Sequence, residues 1–465
     1  MRFNRIVLIC ALILGLSAEV MAQTSPRPLP AKALDLNWLR PTGEAVRSAK
    51  LLAPNVGWAA SASNIFWTTD DGAKWNDITP PDTLSDCDYC VRDIESVSFI
   101  DTRRGWALID YYSNDRSGTR YPITMASTTD AGKTWSETHF TYRGFDPESF
   151  TQNAIKMSFA DPRHGWVLMV LQDKSLVLLM TENGGRTWKT APHTPNVMND
   201  GYDLLLVTSR EGWMLSGLDL QRPGESVPTL GTVATSLWTS CAAAPPTERR
   251  PGSAPITLFT MSNPRFVGNE LYVTHDGART WEGVSLDVPE ELCANLSPRR
   301  SPSVYFPVYD LPIFVDQKHG YLRVTYSGGW ASIEKAAAVL FATEDGGRSW
   351  KPDRFVQNLP SVVSHLRSAV VDSQWLISSH WGGHPTLTKI GAGAKVSSDA
   401  EVSGVVSNAY RELSFSTPTQ GWSWALPHSG NLLSTSDGGS TWTQINPQVS
   451  RSRQLIQDDD SSPKN

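Results

Sequence analysis

Long apolar runs are nearly absent from this sequence of 465 residues. After residue 22, no stretch approaches the roughly 20 continuous apolar residues that a membrane-spanning helix needs. Basic runs that could follow a phosphate backbone are also lacking, and the formal net charge is −6. We therefore predict that the mature chain has no membrane span and no nucleic-acid partner. No segment shows the 3.6-residue periodicity of an amphipathic helix, which argues against a helical fold.

Cysteine is scarce, with five residues in the chain. Cys10 lies in an N-terminal apolar segment, which leaves Cys87, Cys90, Cys241 and Cys293 as disulfide candidates. The simplest pairing joins Cys87 to Cys90 and Cys241 to Cys293. A thioredoxin-like role for "CDYC" would need a strand before it and a helix after it, whereas prolines and aspartates surround it. A zinc site would need a second pair of ligands, which the sequence does not supply.

The N-terminus has the pattern of a secretory signal peptide. Arg2 and Arg5 precede a short apolar run, and Val20–Ala22 offers small residues at the cleavage position. We expect residues 1–22 to be removed, residues 23–33 to form a linker, and the mature protein to be secreted or periplasmic. The polar segment 447–465 is predicted to be a disordered tail.

One eight-residue phrase, Thr-x-Asp-x-Gly-x-x-Trp, occurs six times and is called the box below. Asn replaces Asp in the third copy, and in the fourth copy Ala278 stands at the Gly position, with Gly277 one residue earlier. Repetition with four constrained positions indicates a repeat architecture. The Asp or Asn, Gly and Trp residues of the six boxes are Asp70, Gly72 and Trp75; Asp130, Gly132 and Trp135; Asn183, Gly185 and Trp188; Asp276 and Trp281; Asp345, Gly347 and Trp350; and Asp437, Gly439 and Trp442.

Each position of the box can be explained as part of a turn. An Asp carboxylate accepts hydrogen bonds from backbone N–H groups a few residues on, Gly tolerates a positive φ, and Trp packs between sheets. A calcium ion would need about six to eight oxygen ligands, more than one Asp per turn supplies. We therefore predict no metal, no cofactor and no catalytic residue at the boxes, and we expect the Ala278 box to be the least regular.

A second phrase, Gly-Trp, precedes the boxes. In "SVSFIDTRRGWALID" apolar residues alternate before a polar turn, and Gly105-Trp106 opens the next alternating run. Alternation with a period of two, interrupted by turns, predicts short antiparallel strands. Each unit then contains four strands, with the Gly-Trp turn between the first two and the box between the last two, as in a propeller blade.

The spacing of the units predicts an all-β fold, a seven-bladed β-propeller of four-stranded antiparallel blades over residues 34–446, with six or eight blades as alternatives. The seventh unit, without a box, lies between Trp350 and Trp442, where Gln374-Trp375 takes the place of Gly-Trp. The fourth unit is too long, which predicts an insertion at about residues 217–265. The segment Leu34–Arg40 is a candidate ring-closing strand.

These boxes and Gly-Trp phrases resemble bacterial neuraminidase, or Asp-box, repeats. The combined pattern is most similar to the photosystem II stability and assembly factor group of seven-bladed propellers. The resemblance covers residues 44–446 and implies a propeller with Asp-box turns. It leaves activity open, because sialidases, sortilin-type receptors and xyloglucan-cleaving glycosidases share such repeats.

A sialidase would need an Arg cluster, a Tyr nucleophile activated by Glu and an Asp acid/base, and the Arg-Ile-Pro phrase typical of such enzymes is missing. Arg186, Arg279 and Arg348 all belong to boxes, which in the resembling folds lie at the blade periphery. Other glycosidases need a pair of carboxylates, and nothing in the sequence selects one.

The sequence therefore favours a non-enzymatic, monomeric scaffold that binds a protein partner. By the resemblance, the partner would be a subunit of an envelope or photosystem-type membrane complex. Glycan binding or glycosidase activity is the alternative. Aromatic residues outside the repeat pattern, together with the histidines near Gly382-Gly383, are the candidate partner contacts. These residues are Trp238, Trp330, His380, Trp381, His384 and Trp424.

Overall fold

The structure of the chain is a computed structural model, and contacts divide it into two units, Met1–Leu39 and Arg40–Asn465. All described residues lie in the second unit. The predicted signal peptide, linker and strand Leu34–Arg40 lie outside the described residues, as does the tail beyond residue 448. The described residues are 43–81, 90–113, 123–139, 150–171, 176–195, 203–219, 239–240, 267–286, 289, 292, 304–328, 336–359, 367–371, 374–381, 384–390, 395–397, 411–425, 430–439 and 441–448.

The elements of this part of the chain are strands, which form seven sheets numbered here in chain order. Sheet 1 contains β1 (Ser48–Ala53), β2 (Val56–Ala60), β3 (Ile65–Thr68) and β4 (Asn76–Asp77). Sheet 2 contains β5 (Cys90–Phe99), β6 (Gly105–Ser113), β7 (Thr124–Thr128) and β8 (Ser136–His139). Sheet 3 contains β9 (Phe150–Phe159), β10 (Gly165–Leu171), β11 (Leu176–Thr181) and β12 (Lys189–Thr190).

The remaining four sheets depart from this plan at two places. Sheet 4 contains β13 (Asp203–Leu206), β14 (Gly212–Asp219), β16 (Val267–Thr274) and β17 (Glu282–Gly283). Sheet 5 contains β15 (Thr239–Ser240), β18 (Val304–Tyr309), β19 (Ile313–Phe314), β20 (Gly320–Gly328), β21 (Ala336–Thr343), β22 (Lys351–Leu359) and β26 (Lys395–Ser397). Sheet 6 contains β23 (Arg367–Val371), β24 (Gln374–Trp381) and β25 (His384–Ile390), and sheet 7 contains β27 (Arg411–Phe415), β28 (Gly421–Ala425), β29 (Leu432–Thr435) and β30 (Thr443–Gln444).

The fold is an all-β β-propeller with blades of four antiparallel strands. Six sheets contain such a blade, in sheet 5 as the core β18–β20–β21–β22, whereas sheet 6 has three strands among the described residues. The structure thus has six complete blades. The prediction of seven is wrong, and its six-blade alternative agrees with the structure.

Sheet 6 is incomplete for a reason that is visible in the sequence. In the other units, the box turn brings the fourth strand back beside the third strand. No box follows β25, the third strand of sheet 6. Instead, β26 pairs in parallel with β22, the outer strand of sheet 5, with Val396 opposite Val356. Among the described residues after β25, β26 therefore belongs to sheet 5.

The long connection of the fourth unit joins β14 to β16, whose end residues Asp219 and Val267 face each other across the pair. Within it, β15 pairs with β18 of sheet 5, with Thr239 opposite Tyr305. Of the predicted insertion, residues 217–219 belong to β14 and residues 239–240 form β15. The remainder, including Cys241, lies outside the described residues. Part of this connection thus leaves sheet 4 and lies on the first strand of sheet 5.

Alternating residues of one strand serve two cores, because both faces of a blade are covered. In β6, Trp106 and Leu108 pack with residues of sheet 3, whereas Ala107 and Ile109 pack with residues of sheet 1. Similar apolar clusters lie between sheets 3 and 4, 4 and 5, 6 and 7, and 7 and 1. The period-two pattern is therefore apolar on both faces of the middle strands, as expected for stacked sheets.

First strands of neighbouring sheets contact each other. The amide of Leu206 donates to Ser158 Oγ (2.9 Å), and the amide of Leu51 donates to Ser414 Oγ (3.0 Å). These contacts place the first strands on the inside of the ring, so β15 lies at the inner edge of sheet 5. The second contact joins sheet 7 to sheet 1, and the Glu44 amide also donates to the Pro447 carbonyl (2.8 Å).

Candidate functional site

Each box folds into the same hydrogen-bonded turn. In sheet 5, Thr343 Oγ1 donates to Asp345 Oδ1 (2.8 Å) and accepts from the Gly347 amide (2.9 Å), while the Ser349 amide donates to the same carboxylate (2.9 Å). All polar positions of the phrase are thus used inside the turn. The same three bonds are made by the boxes that begin at Thr68, Thr128, Thr181, Thr274 and Thr435.

These turns stabilise the charged form of the box carboxyl groups. Hydrogen bonds from the hydroxyl and amide of Thr134 lower the pKa of Asp130 to about 2. Partial burial opposes the same effect at Asp345, but hydrogen bonds from Ser349 and Thr343 still lower its pKa to about 2. The amide and hydroxyl of Thr280 lower the pKa of Asp276. The carboxylates therefore act as ionised turn acceptors.

The fourth box is as regular as the others, contrary to our expectation. Ala278 adopts φ +63° and its amide still donates to Thr274 Oγ1 (3.0 Å). Ala131 and Asp71 also have positive φ in their boxes, at +63° and +58°. A short side chain accepts the left-handed conformation at a cost of about 1–2 kcal/mol, which the turn's hydrogen bonds offset.

Tryptophans of the two phrases meet between sheets. Trp213, from the Gly-Trp turn of sheet 4, is fully buried and lies 5.7 Å from the half-buried box residue Trp350 of sheet 5. Trp422 and Trp75 make the same pair between sheets 7 and 1, also at 5.7 Å. At these two junctions the Gly-Trp ring lies in the core, and the less buried box ring packs against it from the rim.

The two phrases lie at one end of the sheets. Gly-Trp turns join first to second strands and boxes join third to fourth strands, so in antiparallel sheets both occur at the same edge. Connections between second and third strands leave from the opposite edge. We call that opposite edge the loop face and the first one the box face.

The strand ends that flank most of the predicted partner contacts lie at the loop face. The long connection between β14 and β16, which contains Trp238, begins there, as does the connection between β20 and β21, which contains Trp330. Trp238 and Trp330 themselves lie outside the described residues. Trp381 and His384 are paired at the end of the β24–β25 hairpin, next to the pair His380 and Pro385.

Trp424 is the exception among the predicted contacts. Its ring is 9% exposed and packs in the cluster between sheets 7 and 1 with Val46, Leu51 and Leu432. Packing accounts for this residue, and the loop face does not need it. Of the disulfide candidates, Cys87, Cys241 and Cys293 lie outside the described residues, and Cys90 begins β5.

The arginines that a sialidase would need are dispersed. Arg186, Arg279 and Arg348 belong to boxes of sheets 3, 4 and 5 and are exposed on the box face, where Arg348 pairs with Glu211 (3.2 Å). In the described part of the chain, no group of three His, Cys, Asp or Glu side chains is arranged to hold a metal ion. That part also contains no helix long and apolar enough to cross a bilayer.

One Tyr–Glu pair lies outside the sequence predictions. Tyr272 Oη donates to Glu270 Oε2 (2.5 Å) on β16, beside a cavity of about 100 Å³ lined by Asn269 and Tyr309. Burial, followed by the hydrogen bond to Glu270, raises the pKa of Tyr272. A raised pKa disfavours the phenolate that a nucleophile would need. The spacing of two in a strand places both side chains on one face and could have indicated the pair.

A larger polar groove lies between sheets 1 and 7 on the box face. Its volume is about 530 Å³, and its lining includes Asp71, Ser436, Thr443 and Asn446. Asp71 also bridges the two sheets, because its carboxylate accepts from Trp422 Nε1 (2.7 Å) and from Ser434 Oγ (2.6 Å). Its signal in the sequence is an acidic residue at a box position where the other five copies have Gly or Ala.

No protein-family model and no curated protein matches this sequence. Solved structures similar to the chain include YCF48 bound to D1 peptide (15% identity, 78% of this chain, 88% of that chain, TM-score 0.39). A lectin, BP39L from Burkholderia pseudomallei, matches at 10% identity over 88% of this chain and 99% of that chain (TM-score 0.40). Trypanosoma rangeli sialidase in complex with sialic acid matches at 11% over 75% and 54% (TM-score 0.34). The propeller assignment rests on the arrangement of the sheets.

Proposed function

We propose that this chain is an exported, non-enzymatic propeller scaffold that binds a protein partner through its loop face. One observation carries the proposal: the topology brings the long β14–β16 connection, the β20–β21 connection and the β24–β25 hairpin to the same face. The partner we propose is a subunit of an envelope membrane complex. Loops mounted on a rigid sheet framework are common binding sites.

Two further features support the loop face. β15 pairs with β18 at the inner edge of sheet 5, so part of the long connection lies on the inner side of the ring. The box face, in contrast, uses its polar groups within its own turns, such as Asp345 with Thr343 and Ser349. The polar groups of the box turns are therefore already engaged, which favours the loop face as the surface for a partner.

Site-specific photocrosslinking tests this proposal. A photoreactive amino acid is placed at Trp381 or His384, at the end of the β24–β25 hairpin on the loop face, and at the exposed box residues Lys133 or Arg279 as matched controls. We expect one recurrent adduct in the envelope fraction from the loop-face positions and none from the controls. Equal crosslinking from both faces, or no adduct from the loop face, would refute it.

The non-enzymatic part has its own test. The purified chain is incubated with fluorogenic sialosides and a panel of glycosides, and we expect no turnover above buffer. Turnover that is lost in Tyr272→Phe or Glu270→Gln would establish a glycosidase instead.

Glycan binding at the groove between sheets 1 and 7 is a second candidate. Its carboxylate, amide and hydroxyl lining, which includes Asp70, Thr443 and Asn446, suits the hydroxyl groups of a sugar. A glycan array followed by calorimetry with Asp70→Asn as the variant checks this candidate. Binding that is unchanged in the variant would place the glycan elsewhere.

A further inference from the structure

The face of sheet 5 that is turned away from sheet 4 differs from its counterparts. The opposite face carries Leu322, Val324 and Tyr326 in the core shared with sheet 4. On the face turned away from sheet 4, sheet 5 carries Arg323, which lies two residues after the aromatic residue of its Gly320-Tyr321 turn. The corresponding residues of sheets 1, 2, 3, 4 and 7 are apolar: Ala60, Leu108, Leu168, Leu215 and Trp424.

Arg323 is buried with unused hydrogen-bond donors. The residue is 3% exposed, and its Nη2 donates to Asp310 Oδ1. Its Nε and Nη1 are buried without a partner. Thr325, two residues along the same face of β20, is fully buried, and its hydroxyl also lacks a partner. Donors from two adjacent side chains are thus unsatisfied on one surface.

A second guanidinium shares this surface. Leu340 lies opposite Arg323 on one side and opposite Arg354 on the other, so all three side chains point to the same face. Arg354 is 1% exposed, and its guanidinium lies 5.6 Å from the centre of the Tyr321 ring. Its Nε donates to Asp353 (2.6 Å). We call Tyr321, Arg323, Thr325 and Arg354 the polar wall.

The charges of the polar wall are separated by depth. The Arg323 and Arg354 side chains are 2% and 1% exposed, whereas those of their carboxylate partners, Asp310 and Asp353, are 27% and 26% exposed. Water therefore screens the negative groups better than the positive ones. Two buried guanidinium groups and the unpartnered donors of Arg323 and Thr325 lie on the buried side of the wall, and such an arrangement favours an anion.

We infer that the polar wall binds a small oxyanion, either a carboxylate or inorganic phosphate, which accepts hydrogen bonds from Arg323 and Thr325. An unpaired buried donor costs about 1–3 kcal/mol, and more when it is charged. Several acceptor oxygens on one anion remove that cost at both residues, and hydrogen bonds from a guanidinium to an oxyanion are among the strongest in proteins. This site is separate from the loop face and does not depend on the proposed partner.

Anion-dependent thermal stability of the purified chain tests the inference. Melting is followed by intrinsic fluorescence in chloride, acetate or phosphate at equal ionic strength and pH 7. We expect acetate or phosphate to raise the Tm by about 1–2 °C above chloride at ten times the dissociation constant. Stabilisation by acetate alone identifies a carboxylate site, and stabilisation by phosphate alone identifies a phosphate site.

Variants separate a bound anion from a general salt effect, because phosphate also stabilises proteins by exclusion from the surface. Arg323→Met is expected to abolish the anion-specific rise, and Thr325→Val to reduce it. Arg279→Met, at an exposed box arginine, is the matched control and should retain the full rise. If Arg323→Met does not fold, Arg323→Lys and equilibrium dialysis of labelled phosphate and acetate against the wild-type chain replace it.

Several results would overturn the inference. They are the absence of any rise above chloride in the wild type, an equal rise in Arg323→Met, or dialysis with less than one anion bound per chain at saturation.

Discussion

Asp71 is predicted to act as a latch between sheets 7 and 1, and Asp71→Gly tests this role. Four other boxes carry Gly at the same position, where Asp71 has φ +58°. Glycine therefore fits the turn without strain. The substitution removes the carboxylate that accepts from Trp422 Nε1 and Ser434 Oγ. The substitution thus relieves backbone strain at the positive φ but removes two hydrogen bonds.

The hydrogen bonds are expected to win. Each bond to a charged group contributes about 1.5–3 kcal/mol, and the lower value applies because Asp71 is half-buried. Two such bonds give a loss of about 3 kcal/mol, and relief of the positive φ returns about 1 kcal/mol. Because Trp422 is fully buried, its indole N–H is left without an acceptor. We expect the free energy of unfolding to fall by about 2 kcal/mol.

Equilibrium unfolding in guanidinium chloride, followed by tryptophan fluorescence and circular dichroism, measures this change. Ala131→Gly is the matched control, because Ala131 occupies the same box position in sheet 2 at φ +63°. The control should change stability by less than about 1 kcal/mol, since relief of φ is offset by a lost methyl contact. Hydrogen exchange should quicken in β1 and β28 of Asp71→Gly. A variant as stable as the wild type would refute the latch.

Three more predictions concern the boxes. Gly347→Ala should lower the free energy of unfolding by more than about 2 kcal/mol, since the φ of Gly347 is +87° and the new Cβ would lie 2.3 Å from a buried Trp ring. Gly283→Ala, with open space around it, is the control and should be tolerated. Thermal melts of both variants check this. Thr343→Val should cost about 1–3 kcal/mol in urea unfolding, because the three hydrogen bonds of the hydroxyl are lost, and Thr343→Ser should behave like the wild type. The depressed pKa values of Asp130 and Asp345, about 2, mean that their stabilisation is fully present above about pH 4 and is lost as the pH falls through 2. An acid titration should show this loss, and it should be smaller in Asp130→Asn, whose side chain cannot be protonated; equal acid sensitivity would contradict the assignment.

Local patterns in the sequence predicted most of the fold. The box specifies a turn through contacts within eight residues, and the Gly-Trp phrase marks the start of second strands such as β6 and β10. Alternating apolar residues predicted short antiparallel strands, and the structure shows that both faces of the middle strands are covered. The box-free unit at Gln374-Trp375 does form strands, as predicted. The sequence did not indicate that the next strand, β26, pairs with sheet 5. The parallel pairing of β26 with β22 depends on a neighbour about 40 residues away.

Contacts between distant units explain what the sequence did not predict. Asp71 bridges to Trp422 and Ser434, which lie 351 and 363 residues away in the chain, and nothing near Asp71 in the sequence indicates those partners. Arg323 was visible as a charge within an otherwise apolar strand pattern, yet only the paired strands show that Arg354 shares its face. The two features that the sequence did not indicate, the Asp71 bridge and the polar wall, therefore depend on long-range contacts. The repeated polar residues of the boxes, in contrast, are hydrogen-bonded within their own turns.

The junction of sheets 7 and 1 has an evolutionary consequence. Among the described residues, these two sheets share no strand and are joined by side chains and short backbone contacts such as that of Glu44 with Pro447. A repeat could therefore be duplicated or deleted in the gene without dividing any blade between two distant parts of the chain. Only the few residues at the new junction, such as the partners of Asp71, would then have to fit each other again.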